Sequence, residues 1–160
     1  MKKTLLALAL IGASATASAD SWIYGGASVG NSDFLGDSST AYNVHVGTGI
    51  LPFIGLEAGY NNLGEFETGT SKVKLDNVYF AAKPSINFGP LQVYGKAGVH
   101  SWEQSSSNAA LEDDGYDIML GVGADYQIFG PLTVGAKYEN YKMDKEDMGV
   151  FSLTASLNFL

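Results

Sequence analysis

Six charged side chains stand out by type and spacing: Glu57, Lys83, Lys96, Asp125, Lys137 and Glu139. Each lies in a stretch where apolar residues recur at every second position, and each falls on the opposite phase. Leu56-Glu57-Ala58, Ala82-Lys83 and Ala136-Lys137-Tyr138-Glu139 show the pattern. Three acids and three lysines on one face can neutralise one another by ion pairing. A lone charge enclosed there would cost on the order of several kcal/mol. Such a set makes either a packed polar plug or a gate on a narrow proton or ion path. His45 and His100 are the only histidines and share this phase. A metal centre needs three or four converging ligands, so no metal and no cofactor is expected. No Ser-His-acid grouping of specific spacing is visible, which argues against an enzyme. The runs Glu112-Asp113-Asp114 and Asp144, Glu146, Asp147 read first as solvated loops, with binding of divalent cations or of a basic partner as the alternative.

The elements that position these charges are strands. From Tyr116 to Ile128, Tyr116, Ile118, Leu120, Val122, Ala124, Tyr126 and Ile128 fall on one face. Asp117, Met119, Gly121, Gly123, Asp125 and Gln127 fall on the other. Successive side chains of a strand point to opposite faces. The same reading predicts eight strands, over 22–30, 41–51, 54–63, 73–88, 91–103, 116–128, 132–142 and 149–160. Three joints are tight and rich in Pro and Gly: Leu51-Pro52-Phe53, Gly89-Pro90 and Phe129-Gly130-Pro131. Four are longer and polar, over 31–40, 64–72, 104–115 and 143–148. Short and long joints alternate strictly. An antiparallel up-and-down meander then gathers its short turns at one end and its long loops at the other.

Charge decides what lies on each face. The apolar phase carries residues such as Val46, Phe80, Val99, Val122, Val134 and Leu153, and no charge enters its central stretch. The opposite phase holds the six charges, both histidines, and Asn43, Asn87, Ser152, Thr154 and Ser156. A soluble barrel turns its apolar face inward and its charges to water. Lipid outside and polar groups inside accounts for both faces of this chain. Aromatics mark both rims of the apolar band: Trp22, Phe53, Phe88, Phe129 and Phe159 at the short turns, and Tyr42, Tyr60, Tyr116, Tyr138 and Phe151 near the long loops. The expected fold is all-β, an eight-stranded antiparallel up-and-down transmembrane β-barrel.

The N-terminus agrees. Met1-Lys-Lys-Thr precedes an apolar stretch from Leu5 to Ala13 and the small residues Ala17-Ser18-Ala19. This is the layout of a signal peptide over 1–19, cleaved after Ala19, with the barrel domain over 20–160. The stretch is too short for a membrane helix, which needs roughly 20 apolar residues. Two of the 9 basic residues lie in it, leaving 7 against 17 acids, a balance of −10. There is no Arg, and so acidic a chain excludes a nucleic-acid partner. The lack of Cys excludes a disulfide framework and a thiolate metal site.

Tyr42-Asn-Val-His-Val-Gly-Thr-Gly with Ile54-Gly-Leu-Glu-Ala-Gly-Tyr-Asn-Asn-Leu-Gly64 resembles the second hairpin of the OmpA-type barrel superfamily. Ala81-Ala-Lys83, Tyr94-Gly-Lys96-Ala-Gly98, Gly123-Ala-Asp125-Tyr126 and Gly135-Ala-Lys137-Tyr-Glu139 continue the likeness through the chain. The resemblance implies that Glu57, Lys83, Lys96, Asp125, Lys137 and Glu139 form a salt-bridge network inside the barrel. It also implies a C-terminal assembly signal carried by Leu157 and Phe159, read by the barrel-assembly machinery. Two departures are visible: the chain ends at the eighth strand without a peptidoglycan-binding domain, and Leu160 follows the aromatic.

The expectation is a small integral protein of a gram-negative outer membrane, in contact with its lipid and lipopolysaccharide. Its role is structural or surface-interacting, with an extracellular ligand taken through loops 31–40, 64–72, 104–115 and 143–148. The alternative is a narrow porin-like channel or transporter for small solutes; a lipid A-modifying enzyme is the third reading. For Lys137 the candidate acidic partners are Glu57 and Asp125.

Overall fold

The computed structural model describes residues 23–34, 36–51, 53–68, 70–106, 113–143 and 146–159. The expected signal segment 1–19, Trp22, Pro52, Glu112, Asp144 and Leu160 lie outside the described residues. The described chain forms eight strands: β1 (Ile23–Phe34), β2 (Asp37–Leu51), β3 (Ile54–Thr68), β4 (Ser71–Phe88), β5 (Leu91–Ser106), β6 (Asp113–Phe129), β7 (Leu132–Met143) and β8 (Glu146–Phe159). Each pairs antiparallel with its neighbours in sequence, and β1 pairs with β8 from Ile23↔Phe159 to Asp33↔Gly149, closing the barrel. Closure leaves no unpaired edge, which a sheet surrounded by hydrocarbon requires.

The strand phase matches the alternation. Val46, Val78, Phe80, Val99, Leu120, Val122 and Leu153 face outward and exposed. Glu57, Lys83, Lys96, Asp125, Lys137 and Glu139 are all buried. Exposed Phe53, Phe88 and Phe129 ring the short-turn end, and exposed Tyr42, Tyr60, Tyr116, Tyr138 and Phe151 ring the other. The short turns use left-handed glycines, Gly89 at φ 62° and Gly130 at φ 51°. Their carbonyls extend the sheet: Pro90 O accepts from Gln127 N and Pro131 O from Asn158 N, each at 2.9 Å.

The structure corrects the expected loops. All eight strands extend farther out at the long-loop end than the apolar alternation suggests. Residues 31–34 pair with 37–40, Glu65–Thr68 with Ser71–Lys74, and Lys142 and Met143 with Asp147 and Glu146. Of the four expected loops only that between β5 and β6 leaves more than two residues between strands, 107–112. The two ends of the barrel thus differ in how far the hairpins project beyond the apolar band, more than in loop length. The reason is that the ladder is made by backbone groups. Polar outward residues above the membrane lose the hydropathy signal while the pairing continues.

The inner faces of these projecting hairpins supply the second correction. The lumen is not polar throughout. Leu63, Phe66, Leu75, Met119, Met143 and Met148 are buried at the long-hairpin end, with Trp102 and Val150, and form one apolar cluster. Phe34 packs on Phe66 at 5.7 Å between ring centroids, tying the first two hairpins together.

Candidate functional site

An eight-stranded barrel has an interior just wide enough for side chains to fill. Every strand contributes to the layer beneath the apolar cluster. Glu57, on β3, is its hub. It accepts hydrogen bonds from Tyr24 Oη at 2.7 Å and Tyr79 Oη at 2.6 Å, and from the Lys96 ammonium. Lys96, on β5, also donates to Glu139 Oε1 at 2.8 Å, so one ammonium bridges β3 and β7. Glu139 further accepts from Tyr141 Oη at 3.0 Å and lies 3.1 Å from Lys137 Nζ. Lys83 stands 3.5 Å from Asp125 Oδ2 and 3.8 Å from Glu57 Oε2. All six residues singled out from the sequence therefore meet in one layer of three cations and three anions.

The partner of Lys137 is neither Glu57 nor Asp125. It is Glu139, two residues along the same strand. Positions i and i+2 share a face, so a lysine can fold back on the acid beside it without crossing the lumen. Lys137 also donates to Asn43 Oδ1 at 3.2 Å.

Four tyrosines were not apparent as members of the site. Tyr24, Tyr79, Tyr94 and Tyr141 all occupy the inward phase. Tyr24 and Tyr79 bring hydroxyls to Glu57, and Tyr141 to Glu139. The Tyr94 ring lies 4.0 Å from Lys83 Nζ, a cation–π distance. A signal for three of them exists in the sequence. Tyr24, Tyr79 and Tyr94 stand directly opposite Gly47, Gly59 and Gly123 on neighbouring strands. Each glycine leaves open the space that the ring covers.

Both histidines are hydrogen-bonded inside the barrel. His100 Nε2 lies 2.7 Å from Lys142 O, which fixes that nitrogen as a donor. Its ring meets Tyr141 edge-on at 5.1 Å. His45 lies between Asn43 Oδ1 at 2.7 Å and Ser156 Oγ at 3.2 Å. This Ser156–His45–Asn43 series was not visible in the sequence, because its members lie on β8 and β2. It has the order of a nucleophile, base and orienting group. Yet the Asn43 oxygen is shared with Ser28 and Lys137, and the series faces the lumen, away from acyl chains. Among the described residues no group of three or more His, Cys, Asp or Glu has the geometry to hold a metal ion.

Beneath the charge layer a cavity of about 340 Å³ opens at the short-turn end, with Lys83, Asp125, Ser156 and Tyr24 among its lining residues.

A family profile described as the outer membrane protein beta-barrel domain matches residues 4–159. No curated protein matches the chain. Solved structures with the same fold include Ail, the attachment invasion locus protein of Yersinia pestis, in complex with the heparin analogue sucrose octasulfate. Its identity to this chain is 16% and its TM-score 0.60, over 86% of this chain and 96% of that one. The N-terminal β-barrel domain of Pseudomonas aeruginosa OprF has 15% identity and a TM-score of 0.64, over 85% of this chain and 97% of that one. The outer membrane enzyme PagL has 15% identity and a TM-score of 0.54, over 85% and 99%. These neighbours share a scaffold on which different activities are mounted.

Proposed function

The chain belongs to the outer membrane protein β-barrel family, and from that premise we propose that it is a closed-lumen, non-catalytic barrel that presents its projecting hairpins to the exterior. The observation that carries this reading is the filled interior. The ion-pair layer spans the barrel through Glu57, Lys96 and Glu139, and the apolar cluster around Leu63, Met119 and Met148 lies above it. Those three apolar side chains have no solvent exposure. An ion crossing the lumen would have to shed its water against apolar side chains, at high cost.

The expected result in planar bilayers is little or no steady conductance. Large, long-lived open channels would overturn the closed-lumen reading in favour of a solute channel. The lipid A of cells that overproduce the protein is expected to be unchanged. Ser156 and His45 face inward, so no nucleophile–base pair of this site reaches the lipid.

The exterior of the projecting hairpins carries exposed Asp33, Asp37, Glu65, Glu67, Glu103 and Asp147 against exposed Lys72, Lys74 and Lys142. This balance favours a cationic surface partner. It opposes transfer to this chain of the polysulfated ligand class seen with Ail, because like charges repel at contact. Binding of a basic peptide to intact cells, weakened by added salt, would support the cationic preference. Preferential binding of heparin would overturn it.

A further inference from the structure

The cavity at the short-turn end is a blind cup. In the closed-lumen reading, on which this inference rests, it opens only toward the periplasm. It exists because of glycine. Gly49 and Gly55 stand directly opposite each other at inward positions of β2 and β3, so the wall there has no side chains. Its volume, about 340 Å³, falls within the roughly 300–1,000 Å³ of small-molecule sites.

The floor of the cup is a loose ion pair. Lys83 and Asp125 are each 7% exposed, and both line the cavity. Their separation is 3.5 Å, against about 2.7–2.9 Å for a charge-assisted hydrogen bond. The other carboxylate near Lys83, on Glu57, is farther still at 3.8 Å. Lys83 is otherwise held by aromatic faces, 4.0 Å from the Tyr94 ring and 4.6 Å from Tyr24. Lys96, in the layer above, spends two of its three donors on close contacts with Glu57 and Glu139. Asp125 Oδ1 accepts from Thr154 Oγ1 at 3.2 Å, while the Lys83 ammonium and Asp125 Oδ2 come no closer than 3.5 Å, and both residues line the cavity.

The walls select a type of ligand. The Asn158 side-chain amide donates to Thr133 Oγ1 at 2.6 Å, Gln92 to Asn87 Oδ1 at 3.0 Å, and Gln127 to Gly130 O at 2.7 Å. This leaves the side-chain oxygens of Asn158, Gln92 and Gln127 to accept from a guest, and the Asn87 amide, whose oxygen is taken, to donate to it. Charge argues against an ionic guest. Three lysines and three acids balance in the lumen, so a net charge would meet no uncompensated countercharge. A hydroxyl group suits the floor, because it accepts from the Lys83 ammonium while donating to the Asp125 carboxylate. We propose that this cup binds a small, neutral, hydroxyl-rich molecule, a saccharide of one or two rings, presented free or as the end of a longer glycan.

The test is an NMR titration of isotope-labelled full-length protein in micelles with glucose, N-acetylglucosamine, maltose and maltotriose. Sodium acetate and glycine serve as charged and zwitterionic comparisons. The expected result is saturable shifts at the amides of Tyr24, Lys83, Asp125 and Ser156 with the sugars. Binding should be at least tenfold weaker in Asp125→Asn and lost in Ser85→Trp, which fills the mouth while native strand content is checked by circular dichroism. A longer sugar binding more tightly than glucose points to a glycan end, and the reverse to a free sugar; both support the site. Absence of saturable shifts, shifts unaffected by Ser85→Trp, or preferential binding of acetate or glycine would overturn it. Channel activity in planar bilayers alongside saturable sugar shifts would remove the closed-lumen reading, and with it the one-sided access, while the sugar site lined by Lys83 and Asp125 would stand.

Discussion

Gly59 stands directly opposite Tyr79 across the β3–β4 ladder, and a Cβ on Gly59 would lie 2.6 Å from the Tyr79 ring. The ring is held over the glycine while its hydroxyl donates to Glu57, two residues before Gly59. The hub carboxylate is therefore positioned by the absence of a side chain beside it. The same device recurs at Tyr24 over Gly47 and Tyr94 over Gly123, and in the apolar cluster at Trp102 over Gly115.

Gly59→Val is accordingly expected to destabilise the folded barrel by about 1–3 kcal/mol through overpacking. It should also displace Tyr79 from Glu57. Gly95→Ala is the control, since its Cβ would meet nothing closer than 3.8 Å. Equilibrium urea unfolding in micelles or vesicles measures both. Equal stability of the two variants would show that the ring does not need the glycine.

Val122 is 62% exposed on the outward face of β6, midway between Tyr116 and Ile128. Val122→Arg places a guanidinium near the middle of the hydrocarbon. The expected loss is about 2–4 kcal/mol of folding free energy in bilayers. Folding into vesicles as complete as that of the parent would count against the assigned depth.

In the lumen, Lys137→Met leaves Glu139 with Lys96 as its remaining cation. Removing one member of a buried pair typically costs about 3–5 kcal/mol. Because Glu139 keeps Lys96, the loss should lie at or below the lower end of that range. Lys137→Met with Glu139→Gln should recover part of it in the same unfolding assay. Lys137→Met with Asp125→Asn should recover nothing, because the structure brings Asp125 to Lys83 and Thr154. Recovery with Asp125→Asn instead would reverse that assignment.

Phe159 pairs with Ile23 where β8 closes on β1, at the short-turn rim. It shares its phase with Leu157, Ala155 and Leu153. Phe159→Ala is expected to lower the yield of protein in the outer membrane, and deletion of Leu160 to leave it nearly unchanged. Quantitative immunoblots of purified outer membranes separate the two. Equal yields of the parent and Phe159→Ala would remove Phe159 from the assembly signal.

Much of this barrel was legible because it obeys a period of two over long stretches. Tyr116–Ile128 fixes which residues face lipid, and that phase places Lys137 and Glu139 inside without any knowledge of their neighbours. The alternation of Pro- and Gly-rich joints with polar ones orders the strands. The strand ends above the membrane were not legible. Residues 31–34 and 37–40 are polar on their outward side, and hydropathy carries no record of backbone pairing. The inward apolar cluster was hidden for a related reason. Val73, Leu75, Met143 and Met148 continue the inward phase, but a lumen read as polar gives no place for them.

By itself, then, the sequence determined the face on which each side chain lies, because that depends only on local strand geometry. The tertiary structure alone decided which inward side chains meet. Closure of β1 on β8 and the stagger of the strands set the height of each residue across the lumen. That stagger is a property of all eight strands together. It brings Lys96 of β5 to Glu57 of β3 and Glu139 of β7, turns Lys137 back on its own strand, and leaves Lys83 and Asp125 facing an unfilled space.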